Sequence, residues 1–203
     1  MRLLPTTLAA ALVAAAFAFP VLAQDRSAHD AAARGQALAV ARGCGLCHGE
    51  QGISATAMMP SLAGQHADYS VLQMVLFREG LRAVPVMQAA MAGLSDQQLT
   101  DLAEHYAALP PGPPPDRAPR DAEVAAQGAA ISPSRNCNAC HLPSYAGRVN
   151  VPRLAAQRED YLAAAMIAYR DNLRVGADTQ MNGLMLGLTN AEIAALAHHL
   201  AHQ

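Results

Sequence analysis

Cys44-Gly45-Leu46-Cys47-His48 places two thiols one helical turn apart, with an imidazole on the next residue. Cys137-Asn138-Ala139-Cys140-His141 repeats that arrangement and uses the other two of the four cysteines. Cys-x-x-Cys-His is the attachment sequence of a c-type haem. The two thiols add to the vinyl groups of one porphyrin, and the following imidazole meets the iron. Two copies imply two covalently bound haem c groups. Cys44, Cys47, Cys137 and Cys140 are then the attachment points, and His48 and His141 the proximal iron ligands.

Three other chemistries explain these residues less well. A redox disulfide of the thioredoxin kind sits near a βαβ pattern, and no strand pattern is evident. A zinc site made from two Cys-x-x-Cys pairs usually draws them from closer together than the 93 positions that separate Cys44 from Cys137, and it would leave both histidines idle. A structural disulfide inside Cys-x-x-Cys closes too small a loop to restrain an unfolded chain much.

A second iron ligand is needed on the far side of each haem. Electron-transfer haems commonly pair Met with His, which raises the potential. Met87 and Met181 lie 94 positions apart, each in a segment before the last helix of its repeat. They are the expected sixth ligands. Met91 and Met185 repeat too, but sit nearer that helix and suit a core position. Met74 and Met166 fall inside a helix and read as packing. His105 and His199 also repeat, within the last helix, where a solvated or edge position is expected. His29, His66, His198 and His202 have no counterpart and read as surface residues. The carbonyls of Pro60 and Pro152 follow the proximal histidines by twelve and eleven residues. Each is placed to accept the imidazole's other N–H. Arg78/Arg170 and Arg82/Arg174 repeat as well, and suit either haem propionates or solvent.

The elements that must hold these groups are helical. Residues 30–41 are rich in Ala and Leu and lead into the first motif. A helix over 67–79 carries Val71, Leu72, Val75 and Leu76 with the spacing of one buried face. Residues 81–94 read as a loop. Ser95 with Gln98 forms a capping box, opening a helix to about Ala108 with Leu99, Leu102, Ala103 and Tyr106 on one face. Pro110-Pro111-Gly112-Pro113-Pro114-Pro115 cannot continue it and reads as a stiff linker over 110–120. The order then returns, with a helix over 121–131, Pro152-Arg153-Leu154-Ala155-Ala156-Gln157 echoing Pro60-Ser61-Leu62-Ala63-Gly64-Gln65, and Tyr161 echoing Tyr69. This is a tandem duplication. The expected organisation is residues 24–109, a linker, and residues 121–203, all-α throughout.

Composition agrees with buried cofactors. The chain has no Trp, and Phe77 is the only Phe beyond residue 23. Two domains of this size would have meagre cores unless a macrocycle filled each one. Residues 1–23 have the form of a secretory signal: Arg2, an apolar run from Leu8 to Phe19, and Val21-Leu22-Ala23 as a cleavage site. An exported, periplasmic protein is expected. The formal net charge is −2 and all fourteen basic residues are Arg. No basic stripe suggests nucleic acid or an anionic membrane, so membrane contact is expected only through partners.

The two haem motifs, the Pro-x-Leu-Ala-x-Gln runs, the Met-x-x-x-Met segments and the Leu-Ser/Thr helix starts together resemble the di-haem class I cytochromes c of the cytochrome c4 family. The resemblance covers essentially the whole chain beyond residue 23. It implies two class I cytochrome c domains about a pseudo-twofold axis, His/Met ligation, and single-electron transfer between a protein donor and a terminal oxidase or dehydrogenase. It also allows a haem subunit of a dehydrogenase complex, of the flavocytochrome type. A di-haem peroxidase is disfavoured, since both repeats keep their Met. The proline-rich linker and the absence of Lys depart from the family pattern.

Overall fold

The computed structural model describes residues 27–174 and 180–203. The expected signal segment, residues 1–23, lies outside them. The described chain is helical, with one isolated antiparallel bridge between Arg148 and Val151 and no strand. The first repeat comprises α1 (27–41), α2 (Gly45–His48), α3 (Ala67–Arg78), α4 (Pro85–Met91) and α5 (Asp96–Ala108). The second comprises α6 (Ala122–Ser134), α7 (Cys137–His141), α8 (Glu159–Arg170), α9 (Gln180–Met185) and α10 (Asn190–Ala201).

Each repeat closes where its first helix crosses its last. Gly35 on α1 meets α5 so closely that a Cβ there would lie 1.9 Å from Asp101 O. Gly128 on α6 does the same against α10, 2.1 Å from Ala195 O. A hydrogen atom in place of a side chain lets two helix backbones touch. That contact sets the crossing in both halves, at the expense of helix propensity. Each last helix starts from a complete capping box, Ser95 with Gln98 and Thr189 with Glu192, so its register against the first helix is fixed at the entry.

The cores sit beneath these crossings. Leu99, Leu102, Ala103 and Tyr106 are all buried, as their spacing requires, and Ile193, Leu196, Ala197 and Leu200 repeat them. The first repeat adds Phe77, Met91 and Leu94; the second adds Tyr145, Leu162, Met166, Met185 and Leu188. Two expectations need correction. Residues 81–94 are not simply a loop, because Pro85 starts the short helix α4 at a position where its missing N–H is not needed, and Gln, Ala and Met continue it. On α3 only Leu76 and Phe77 are buried. Val71, Leu72 and Val75 instead line an open groove with Thr100 and Glu104 of α5.

The residues joining the repeats lie against both of them. A Cβ on Gly64 would come within 2.8 Å of Pro111. Asp116 forms a bidentate pair with Arg158 at 2.7 and 3.1 Å. Arg117 Nη1 donates to Ala201 O at 2.9 Å. The segment is thus fastened to the first repeat at one end and to the second along its length.

Replacing Gly35 or Gly128 with Ala pushes a methyl into a carbonyl. We expect a loss of about 2–3 kcal/mol from overpacking, read as a lower midpoint in chemical denaturation. An unchanged midpoint for both variants would contradict the close crossing.

Candidate functional site

The thiol–imidazole units occupy the short helices α2 and α7. Cys47 N and His48 N both donate to Cys44 O, at 3.3 and 3.0 Å, which is one turn of helix and brings the two thiols to the same side. Burial pushes the Cys44 and Cys137 thiols up from their ordinary values, opposed by contacts with Tyr106 and Ser132 respectively. Immediately after each histidine the backbone takes a positive φ, 81° at Gly49 and 67° at Leu142. The chain therefore turns sharply out of the helix and doubles back beneath the imidazole.

The returning strand of loop is braced identically in both repeats. Gly52 O accepts from Leu62 N and Ala63 N at 2.7 and 3.0 Å, and Tyr145 O accepts from Leu154 N and Ala155 N at 2.9 and 3.1 Å. In the first repeat the fully buried Ser54 adds an Oγ–H bond to Cys47 O at 2.8 Å. These braces hold Pro60 and Pro152 in place. His48 Nδ1 lies 2.8 Å from Pro60 O, and His141 Nδ1 lies 2.8 Å from Pro152 O. A carbonyl can only accept, so Nδ1 carries the proton in both rings and Nε2 keeps its lone pair. Both imidazoles are buried, and burial pushes their pKa values down against the opposing pull of the proline carbonyls. Each is a neutral, oriented, single-nitrogen donor at neutral pH, as a metal ligand must be.

The methionines divide by burial. Met91 is 3% exposed and Met185 1%, both inside the cores. Met87 and Met181 are half-buried and pack against the edges of those cores. Arg78 and Arg170 pin the chain between these methionines and the last helix. Arg78 Nη1 donates to Leu94 O at 2.9 Å and to Asp96 at 2.8 Å; Arg170 Nη1 donates to Leu188 O at 3.1 Å and to Asn190 at 2.7 Å.

Arg82 and Arg174 behave differently. Each stacks on a ring of its own repeat, 4.6 Å from the centroids of Phe77 and Tyr169. Each then reaches a phenol of the other repeat: Arg82 to Tyr161 at 3.4 Å, and Arg174 to Tyr69 at 3.0 Å. Gln73 Oε1 accepts from both, at 2.6 and 3.1 Å. The two guanidiniums hold the Tyr161 phenol down at about 8 despite its burial. No carboxylate pairs with either of them among the described residues.

Several histidines depart from expectation. His198 and His199 are buried, not at the surface. His198 Nδ1 pairs with Glu159 at 2.9 Å and Nε2 accepts from Asp121 N at 2.9 Å. His199 packs edge-on to Tyr145. His66 Nε2 donates to Ala146 O in the other repeat at 2.9 Å, and His202 lies within hydrogen-bonding distance of His198 O and Ala118 O. These rings are taken up by protein contacts. Sequence reasoning also passed over Gln65 and Gln157. They were visible only as the last letters of the echoed Pro-x-Leu-Ala-x-Gln runs, yet each bonds the other repeat's chain just after Pro60 or Pro152.

A vicinal thiol pair beside one oriented imidazole nitrogen, built twice on helical domains, defines a c-type cytochrome carrying two covalent haems. The chain belongs to the cytochrome c family, whose model matches residues 32–109 and 125–203, and it is similar to the di-haem cytochromes c4. Cytochrome c4 of Thiocapsa roseopersicina is 36% identical over 171 residues, covering 77% of this chain and 85% of that protein. A thiosulfate dehydrogenase electron acceptor of Stutzerimonas stutzeri is 33% identical over 181 residues, covering 83% and 82%. The crystal structure of reduced recombinant cytochrome c4 from Pseudomonas stutzeri superposes with a TM-score of 0.73 at 28% identity, over 84% of this chain and 97% of that one. The fold is thus two tandem cytochrome c domains, and the activity is electron carriage between redox proteins.

Removing the Arg170 anchor, as Arg170→Ala, should speed amide exchange across residues 180–188 while leaving α6 and α10 protected. Uniform exchange changes over the whole second domain would point instead to a general loss of fold.

Proposed function

We propose that the protein is a periplasmic carrier of single electrons whose two irons are each held by one histidine and one methionine: His48 with Met87, and His141 with Met181. When bound, the haem supplies an iron centre that changes charge by one electron. Cys44 and Cys47 tether it in the first domain, Cys137 and Cys140 in the second. His48 and His141 each offer Nε2 in a fixed orientation, because Nδ1–H is committed to a proline carbonyl. Met87 and Met181 offer soft, neutral sulfur from segments that Arg78 and Arg170 hold down. A site closed on both sides leaves no position for substrate, which favours transfer over chemistry.

The observation that carries this reading is the pair of identical Nδ1–proline bonds, with Nε2 left as donor. The division between buried Met91/Met185 and half-buried Met87/Met181 supports the choice of ligand in each domain. Arg82 and Arg174, cationic and without a carboxylate partner among the described residues, suit the propionate groups of the two haems. The proposed organisation is a signal over 1–23, domains over 24–109 and 121–203, and the linker over 110–120 between them.

The resemblance to a thiosulfate dehydrogenase electron acceptor favours a second reading, in which the protein takes electrons directly from a dehydrogenase it binds. Co-purification of an intact dehydrogenase chain from native extracts would establish it, and recovery of the cytochrome alone would favour a freely diffusing carrier.

The ligand set is tested on protein matured with both haems. The oxidised form should show the weak red-edge band of a methionine–iron bond. Met87→Ala should remove about half of it, and Met87→Ala with Met181→Ala all of it. Cys44→Ser with Cys47→Ser should halve the covalent haem in a pyridine haemochrome assay. A wild type without the band, or a band that survives the double methionine variant, would overturn the assignment.

A further inference from the structure

The two ligand loops grip one another through a glutamine from each. Ser61 N donates to Gln157 Oε1 at 2.8 Å, and Gln157 Nε2 donates back to Ser61 O at 2.8 Å. The pseudo-twofold mate is the same contact: Arg153 N donates to Gln65 Oε1 at 2.8 Å, and Gln65 Nε2 donates to Arg153 O at 3.1 Å. Both amides are buried. Each Oε1 also accepts from the next backbone N–H in its own chain, Arg158 N at 2.9 Å and His66 N at 3.1 Å. The orientation of each side-chain amide is therefore settled by its partners, since backbone N–H faces one end and a carbonyl faces the other.

The N–H of Ser61 and the C=O of Pro60 belong to one peptide group, and that carbonyl is the acceptor for His48 Nδ1. The N–H of Arg153 and the C=O of Pro152 likewise form one peptide group, whose carbonyl is the acceptor for His141. A continuous hydrogen-bonded line thus runs from each imidazole, through one amide, to a side chain of the other domain. An amide that donates is polarised, and its carbonyl becomes a better acceptor in the same stroke. A better acceptor at Nδ1–H makes the imidazole more basic at Nε2. A more basic ligand favours the more highly charged, oxidised iron.

We infer that Gln157 is a positioning and tuning residue for the iron site of the first domain, and Gln65 for that of the second, so that each domain sets the redox potential of the other's haem through a single peptide group. The inference rests on His48 and His141 being the proximal ligands. It gives the duplication a use that a single domain lacks, because the acceptor strength at each ligand depends on the two domains being docked.

The test uses the full protein with both haems. Gln157→Met and Gln65→Met keep length and remove the amide. The two midpoint potentials are followed separately by the paramagnetically shifted proton resonances of each haem and its axial histidine. Gln157→Met should raise the potential of the first-domain haem by about 30 mV, about a threefold change in its one-electron equilibrium, and move the second much less. Gln65→Met should do the reverse. Gln157→Glu keeps an oxygen facing Ser61 N–H and should shift the first-domain haem downward, opposite to Met. Equal shifts of both haems, as from simple undocking, would overturn the inference. So would shifts confined to the mutated glutamine's own domain, a common sign for Met and Glu, or no shift at all. Failure of the ligand assignment is seen separately: the unmutated protein would then show no hyperfine-shifted His48 and His141 ring protons.

Discussion

Every other part of the site is arranged around one hydrogen bond, made twice, between an imidazole Nδ1–H and a proline carbonyl at 2.8 Å. It selects the tautomer, and so leaves Nε2 as the nitrogen free to bind a metal. It also selects the ring's orientation, because a ring held at one edge presents the other edge in a fixed direction. For the bond to form, the chain must leave the motif helix abruptly, run about a dozen residues and return. That accounts for the positive φ after each histidine, for the loop braces on Gly52 and Tyr145, and for a proline at the turning point. Proline has no N–H of its own, but its carbonyl is an ordinary acceptor held by a restricted backbone.

The duplication conserves this geometry while changing what surrounds it. The helix crossings are the same in both halves, with Gly35 and Gly128 each against the carbonyl of the opposing helix. The polar locks on those crossings are not the same. The first domain pairs Arg34 with the buried Asp101 at 2.7 and 2.8 Å. The position of Asp101 is Ala195 in the second, and there Glu159, His198 and Asp121 tie α8, α10 and the start of α6 together instead. The first loop is braced by Ser54 against Cys47 O, the second by a bond between Tyr145 and Ser132 at 2.7 Å. Backbone contacts that orient the two imidazoles are kept, and side-chain contacts that merely hold helices together are exchanged. This is the expected outcome if an Å-scale shift at a ligand costs more than a different lock elsewhere.

Much of the site was legible because its chemistry is local. Two thiols and an imidazole within five residues need no tertiary information, and neither does a capping box. The proline carbonyls were legible because the two copies place Pro60 and Pro152 at nearly the same distance from their histidines. What escaped is of two kinds. The short helices α4 and α9 have too few residues for periodicity to register, and Pro85 reads as a breaker until its place in the first turn is known. The cross-domain contacts join residues 79 to 105 positions apart, and no spacing rule reaches so far. His198 and His199 illustrate the difficulty. Histidine composition suggests solvent, while burial depends on Glu159, Asp121 and Tyr145 arriving from elsewhere.

The domains are joined by many directional polar contacts, and this bears on how they are held. These contacts include glutamine–backbone pairs, arginine–phenol pairs, and the nearly buried Arg158, which spans Asp116, Asp160 and Ser54 O. An apolar interface of similar extent would hold the domains together without caring about small rotations, since hydrophobic contact is non-directional. Hydrogen bonds between buried amides tolerate little displacement before a donor is left unpaired, at a cost of about 1–3 kcal/mol for each. These directional contacts therefore favour a fixed angle between the domains. For a protein that passes electrons, a fixed angle is worth having, because transfer depends on the distance and orientation of two centres that the chain itself must hold in place. The same directional bonds end on the peptide groups that hold both imidazoles, so the contact that orients the domains also bears on the orientation of those rings.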